Sequence, residues 1–123
     1  MQKTVYHQHE PFQVPTVDGK TILEHFGGAS TGDSDVSIAH MIAPGGWSEP
    51  PQTPEFGEFT LMVAGQKQIE LPTGPIVLSA GESLFVPAGT RVRYANPFEE
   101  PAVYWSVCIP AFNPNTVHRE TET

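Results

Sequence analysis

Twelve consecutive residues, Trp47-Ser48-Glu49-Pro50-Pro51-Gln52-Thr53-Pro54-Glu55-Phe56-Gly57-Glu58, hold three carboxylates, an amide and an indole. Such a set can orient a polar ligand, and a carboxylate drawn out of water can serve as acid or base. Three prolines stiffen the stretch by fixing φ and restricting the unfolded chain. The plain alternative is a solvated, turn-rich loop whose acids meet no ligand. Five histidines are available: His7, His9, His25, His40 and His118. His7-Gln8-His9 places two imidazoles on one face of an extended segment, but near the N-terminus this reads as an exposed edge. His25, beside Phe26 and Gly27, has no supporting context. Cys108 has no His or Asp nearby in sequence and reads as a small core residue rather than a nucleophile.

These groups sit among short apolar runs with alternating faces, the pattern of strands. The runs are Val36 to Ala43, Glu58 to Ala64, Lys67 to Leu71, Ile76 to Ser79, Leu84 to Val86, Arg91 to Ala95 and Ala102 to Ile109. Turn residues separate them: Pro44-Gly45-Gly46, Ala64-Gly65-Gln66, Thr73-Gly74-Pro75, Ala80-Gly81-Glu82 and Ala88-Gly89-Thr90. One short helical turn is expected at the C-terminal end. Asn113 would cap it, Pro114 suits its first position, and it would run to about His118, which would reinforce its end. The first dozen residues and the tail Arg119-Glu120-Thr121-Glu122-Thr123 read as frayed. Many short strands at close spacing predict an all-β sandwich or closed barrel.

The chain has 123 residues, room for one domain spanning 1–123. Its net charge of −8 argues against nucleic acid and against an anionic membrane surface, both of which call for clustered Lys and Arg. A single cysteine forms no internal disulfide, and no apolar run approaches the ~20 residues that cross a bilayer. The expectation is a soluble, cytoplasmic protein.

Gly81, Pro87, Gly89 and Asn96 fall at the spacings of the second motif of the cupin superfamily, and Glu58 with Gly65 fits the end of the first. Over about residues 36–110 the chain resembles these small double-stranded β-helix, or jelly-roll, barrels. In that family three imidazoles and one carboxylate hold a divalent metal. Here the second-motif histidine position is Val92, and the first-motif positions hold Pro51 and Thr53 in one register or Gln52 and Pro54 in the other. Only Glu58 of the ligand set remains, so the standard divalent metal is not expected. The alternative is an atypical site: His40, if it faces inward, could join Gln52 and Glu58. Otherwise His40 faces the core or solvent and is inert.

The resemblance implies that the acidic loop crosses the barrel mouth, with Glu49 and Gln52 orienting a small polar molecule and Glu58 reaching inside. Thr60 and Met62 share the face of Glu58, and Tyr94 shares that of Val92. A buried tyrosine needs a hydroxyl partner, which Glu58 or a ligand could supply. Glu58 and Tyr94 are the candidate catalytic pair; His40, Glu49, Gln52, Thr60, Met62, Val92 and Tyr104 are candidate ligand contacts. Arg91 and Arg93 should lie outside, paired with Glu99, Glu100 or a second subunit. Alternation leaves open which face of the last strand is inward. The implied functions are a metal-independent lyase or isomerase, or a binding or sensing module without turnover, near the ethanolamine-utilisation branch; a metal-dependent dioxygenase is more distant. Small relatives of this kind pair through edge strands, so a homodimer is expected.

Overall fold

The structure is a computed structural model and describes residues 4–121. Nine strands run in chain order: β1 (Phe12–Gln13), β2 (Thr21–Phe26), β3 (Ser37–Ala43), β4 (Gly57–Ala64), β5 (Gln66–Leu71), β6 (Gly74–Ser79), β7 (Ser83–Val86), β8 (Arg93–Ala95) and β9 (Ala102–Ile109). All pair antiparallel, in a six-stranded sheet ordered β1-β2-β3-β9-β4-β7 and a three-stranded sheet ordered β6-β5-β8. The architecture is an all-β jelly-roll barrel.

Register decides what meets inside. One inward row of the large sheet carries Ser37, Cys108, Glu58 and Val86; the next carries Glu24, Ala39, Ser106, Thr60 and Leu84. A third brings Ile22, Met41, Tyr104 and Met62 together. Because side chains alternate with period two, the intervening residues face outward. From the small sheet, Lys67, Ile69 and Tyr94 complete the interior. Trp47, Met62, Ile69, Leu78, Val86, Val92, Tyr94 and Tyr104 make one buried cluster, and Phe56, Cys108 and Val117 a smaller one.

The motif residues act as joints. Gly81 and Gly89 hold φ of 87° and 81°, a region that costs a side chain but not glycine. Asn96 is fully buried, and its amide donates to the carbonyls of Ala43, Pro44 and Glu100 while its Oδ1 accepts from the Phe98 amide.

Three expectations are corrected. The C-terminal segment forms a single turn over 114–116, not a helix through His118. Asn113 does cap it, accepting from the Asn115 amide at 2.8 Å. Beyond it, however, the carbonyls of Thr116 and His118 accept from Glu55 and Thr53, and the Glu120 amide donates to Pro51. A segment whose carbonyls pair sideways with a loop has none left for an i to i+4 ladder. For the same reason Arg119 and Glu120 are not frayed, while Glu122 and Thr123 lie outside the described residues. Arg91 pairs with Glu120 at 2.7 Å and Arg93 with Glu70 at 3.1 Å, rather than with Glu99 or Glu100.

Candidate functional site

A cavity of about 340 Å³ opens between the two sheets. The segment 14–18 and Phe112 border it, Arg119 reaches it from the C-terminal strap, and the six-stranded sheet supplies Ser37, Ala39, Met41, Glu58, Ser106 and Cys108. Glu49 and Gln52 enter from the acidic loop, and Tyr94 from β8. The loop reaches this position because Ser48 and Gln52 bridge to Ala95 and Val92, which extends the small sheet by one irregular strand.

Glu58 is buried, and its Oε2 accepts from the Ser106 hydroxyl at 2.9 Å. Gln52 is also buried; its Oε1 accepts from Arg119 Nε and Nη2 at 3.2 and 3.1 Å. The same guanidinium lies 3.6 Å from Glu49 Oε2, so one cation orders both loop residues. Burial raises the Tyr94 hydroxyl well above its ordinary range, and the charge of Glu58 adds to that. Tyr94 therefore keeps its proton at neutral pH. Burial likewise pushes the Cys108 thiol up, with Glu58 contributing, which leaves a protonated thiol and no nucleophile.

The last strand turns Tyr104, Ser106 and Cys108 inward and Val103, Trp105, Val107 and Ile109 outward. Not every candidate reaches the cavity. Thr60, Met62, Val92 and Tyr104 face inward and are buried, but they pack into the core instead of lining the opening. His40 is on the other side of its sheet. Its neighbours Ala39 and Met41 line the cavity, so alternation sends the imidazole outward onto Trp105, with ring centres 4.8 Å apart. A site combining His40, Gln52 and Glu58 is therefore ruled out by geometry. His25 flanks the same indole at 5.1 Å, and His118 meets the Glu55 carboxylate at the surface. Trp47 is not on the rim; it is buried and donates Nε1–H to Asp18 at 2.7 Å.

Two residues that composition and motif did not single out dominate the electrostatics. Lys20, just before β2, and Lys67, on β5, are 8% and 1% exposed and both line the cavity. The Lys20 ammonium lies 4.3 Å from the centre of the Trp47 ring. Lys67 Nζ lies 3.7 Å from the Tyr104 ring centre and 4.2 Å from that of Tyr94. Cation–π contacts of this desolvated kind contribute about 2 kcal/mol. Burial alone would lower the Lys20 pKa, but Tyr104, Glu49 and Glu58 offset it and hold the group above the ordinary lysine value. Lys67 goes the other way. Burial first, and then the Lys20 charge, bring it down to about 7 against the pull of Glu58 and Glu49. The Tyr104 hydroxyl is buried without a hydrogen-bond partner among the described residues. A signal for Lys67 was present in the alternation of β5: Lys67, Ile69 and Leu71 share one face, and Gln66, Gln68 and Glu70 the other.

Comparison with known proteins places this architecture. Residues 39–110 match the family model described as the cupin domain. The chain is 45% identical over 108 residues to a Myxococcus xanthus protein named endoribonuclease YbeY, which covers 88% of this chain but only 37% of that protein. Among solved structures, a Streptomyces PAC13 variant with uridine superposes with a TM-score of 0.75 at 17% identity, covering 98% of this chain and 92% of that one. KdgF from a Halomonas species gives 0.72 at 16% identity, with coverages of 91% and 97%. At such identities the structures speak for the fold, and the family model extends over most of the barrel, from β3 to the end of β9. The chain belongs to the cupin domain family.

Proposed function

We propose that this cupin is a small-molecule enzyme of the lyase or isomerase kind, working by proton transfer without a divalent metal on a polar compound that carries a negative charge. What carries this reading is the meeting of Glu58, Glu49, Lys20 and Lys67 in one cavity, each of them largely buried. Titratable groups whose environments separate their proton affinities are the usual equipment of acid–base sites. Glu58, oriented by Ser106, takes a proton from carbon or oxygen. The Tyr94 hydroxyl, which keeps its own proton, donates to the oxygen on which charge develops. Lys20 supplies the fixed positive charge that holds the anionic group.

The side chains do not fit the three-imidazole metal centre of the wider family. Val92 offers no lone pair, Gln52 is held by Arg119, and two lysines bring positive charge to the space a cation would enter. No step is therefore routed through a metal.

The test is proton exchange. Wild-type protein in deuterated water, incubated with a panel of uronic acids, sugar acids and their keto forms, is expected to exchange a carbon-bound hydrogen or form product, followed by proton NMR. Glu58→Gln should lose at least about 100-fold of that rate while keeping its circular dichroism. An unchanged rate would remove Glu58 from the chemistry. The second reading, a sensing module, draws on the Myxococcus relative, of which this chain matches only a part. Saturable binding with no exchange in the wild type would favour it.

A further inference from the structure

Two of the three lysines in a chain of net charge −8 are turned into one cavity. Lysine is among the residues least often buried, and a buried one is normally matched by a carboxylate. Lys67 is not. Its Nζ makes no hydrogen bond or ion pair with the described residues; what it touches are the faces of Tyr94 and Tyr104. Glu58, which lines the same cavity, is engaged by Ser106, and Glu49 by Arg119. The second lysine stays cationic across the same Tyr104 ring, whose centre is 5.6 Å from Lys20 Nζ.

We propose that Lys67 is a nucleophilic amine that captures the carbonyl carbon of a small carboxylate-bearing aldehyde or ketone as an imine, with Lys20 holding the carboxylate. The proposal rests on the reading of the cavity as an enzyme site and names its substrate class. A desolvated amine beside a second cation is the standard way to obtain a reactive lysine near neutral pH. The depressed proton affinity described above agrees with this placement. The groups that set it are Lys20 ahead of β2, Glu49 on the loop, Glu58 on β4 and Cys108 on β9, with Tyr94 of β8 and Tyr104 of β9 against the amine itself.

The atoms balance simply. The amine lone pair forms the N–C bond while the carbonyl π pair moves to oxygen, which takes up a proton as nitrogen releases one. The C–O bond of the resulting carbinolamine then breaks, its pair leaving with oxygen as water after a second protonation. Nothing is oxidised or reduced. Tyr94, which lines the cavity and keeps its proton, is the available proton donor. Imine formation would acidify the adjacent carbon, from which Glu58 could then remove a proton.

Trapping tests it. The full chain is incubated with pyruvate, glyoxylate or succinic semialdehyde and sodium cyanoborohydride, which delivers hydride to an imine carbon, and is then weighed by mass spectrometry. At pH 7 an amine with its midpoint near 7 is on the order of a thousandfold more deprotonated than an ordinary lysine. The expected result is therefore one adduct per chain, mapped to Lys67, forming at least about tenfold faster than any at Lys3 or the terminal amine. It should vanish in Lys67→Arg, in Lys67→Met and in urea-unfolded wild type. Adducts confined to Lys3 and the terminus with all three probes, or labelling of Lys67 no faster than in the unfolded chain, would overturn the proposal. Deuterium exchange without an adduct sinks the imine and keeps Glu58. An adduct without exchange does the reverse.

Discussion

An ammonium at Lys67 interrupts the apolar face of β5, and its cost to the fold has a definite pH dependence. The group's proton affinity is lower in the folded chain, about 7, than the ordinary lysine value of 10.5 in the unfolded one. Below pH 7 both states carry the proton, and the folded state bears the full penalty of burying it, on the order of 5 kcal/mol. As pH rises from about 7 to 10.5 the folded chain has released the proton while the unfolded one still binds it, so this penalty fades. Lys67→Met should therefore stabilise the protein most at pH 6 and little by pH 10, as read from urea unfolding at both values. A gain that is the same at both pH values would mean that Lys67 is not a suppressed cation. The inward direction of Glu58 was readable because the family motif includes it and Thr60 and Met62 share its face, and that of Tyr94 because it shares the parity of Val92. Lys20 lies outside any alternating run, and the parity of Lys67 with Ile69 and Leu71 was outweighed by residue type, because lysine is ordinarily solvated and an inward lysine declares itself only when a partner ring or charge is in place. Those partners, Trp47, Tyr94 and Tyr104, lie 27 to 84 residues away in sequence. His40 failed as a candidate for the opposite reason: its residue type suggested chemistry, while the fold turns its face, shared with Ile38 and Ile42, outward, a direction that two isoleucines do not betray in sequence.

At the level of elements, Asn96 does for the β3–β4 and β8–β9 connections what no single strand can. Its amide closes onto three carbonyls from two different turns, and its backbone exchanges hydrogen bonds with Gly46 and Trp47. Asn96→Ala would strand those buried carbonyls, a loss of about 2–4 kcal/mol, read as a lower urea midpoint. Because no titratable side chain shares these bonds, the loss should be equal at pH 6 and 9, unlike that at Lys67. A loss under about 0.5 kcal/mol would show that water replaces the amide and that the turn holds itself. Seven strands and the turns between them were legible because alternation and Gly or Pro punctuation coincide there. β2 was missed. In β2, Glu24 faces inward, where a carboxylate is not expected, and a bulge at His25 breaks the period of two. The C-terminal turn carried correct start signals, but local capping cannot reveal that the following backbone is claimed by residues 51–55.

Across the whole molecule, charge and apolar surface are segregated. The outward row Leu23-His40-Trp105-Leu61-Ser83 of the six-stranded sheet carries no carboxylate, lysine or arginine. Beside it Phe59, Val63, Phe85 and Ile109 are 39%, 53%, 49% and 53% exposed. Phe59 and Phe85 stack with ring centres 4.6 Å apart. A continuous exposed apolar face of this size marks an association surface. We propose that a second copy of the chain covers it, sheet face on sheet face, in place of the edge pairing that the sequence resemblance implied. Two copies that each carry −8 repel one another over most of their surface. A face without carboxylates is where that repulsion is least, and a two-fold axis through it lets each copy bury the same residues against its partner. Sedimentation at micromolar concentration should give twice the mass of the monomer. Leu61→Glu would set two carboxylates against each other across the axis and should return the monomer with its circular dichroism unchanged. A wild type that sediments as a monomer, or a Leu61→Glu chain that remains a dimer, would place any association elsewhere on the barrel.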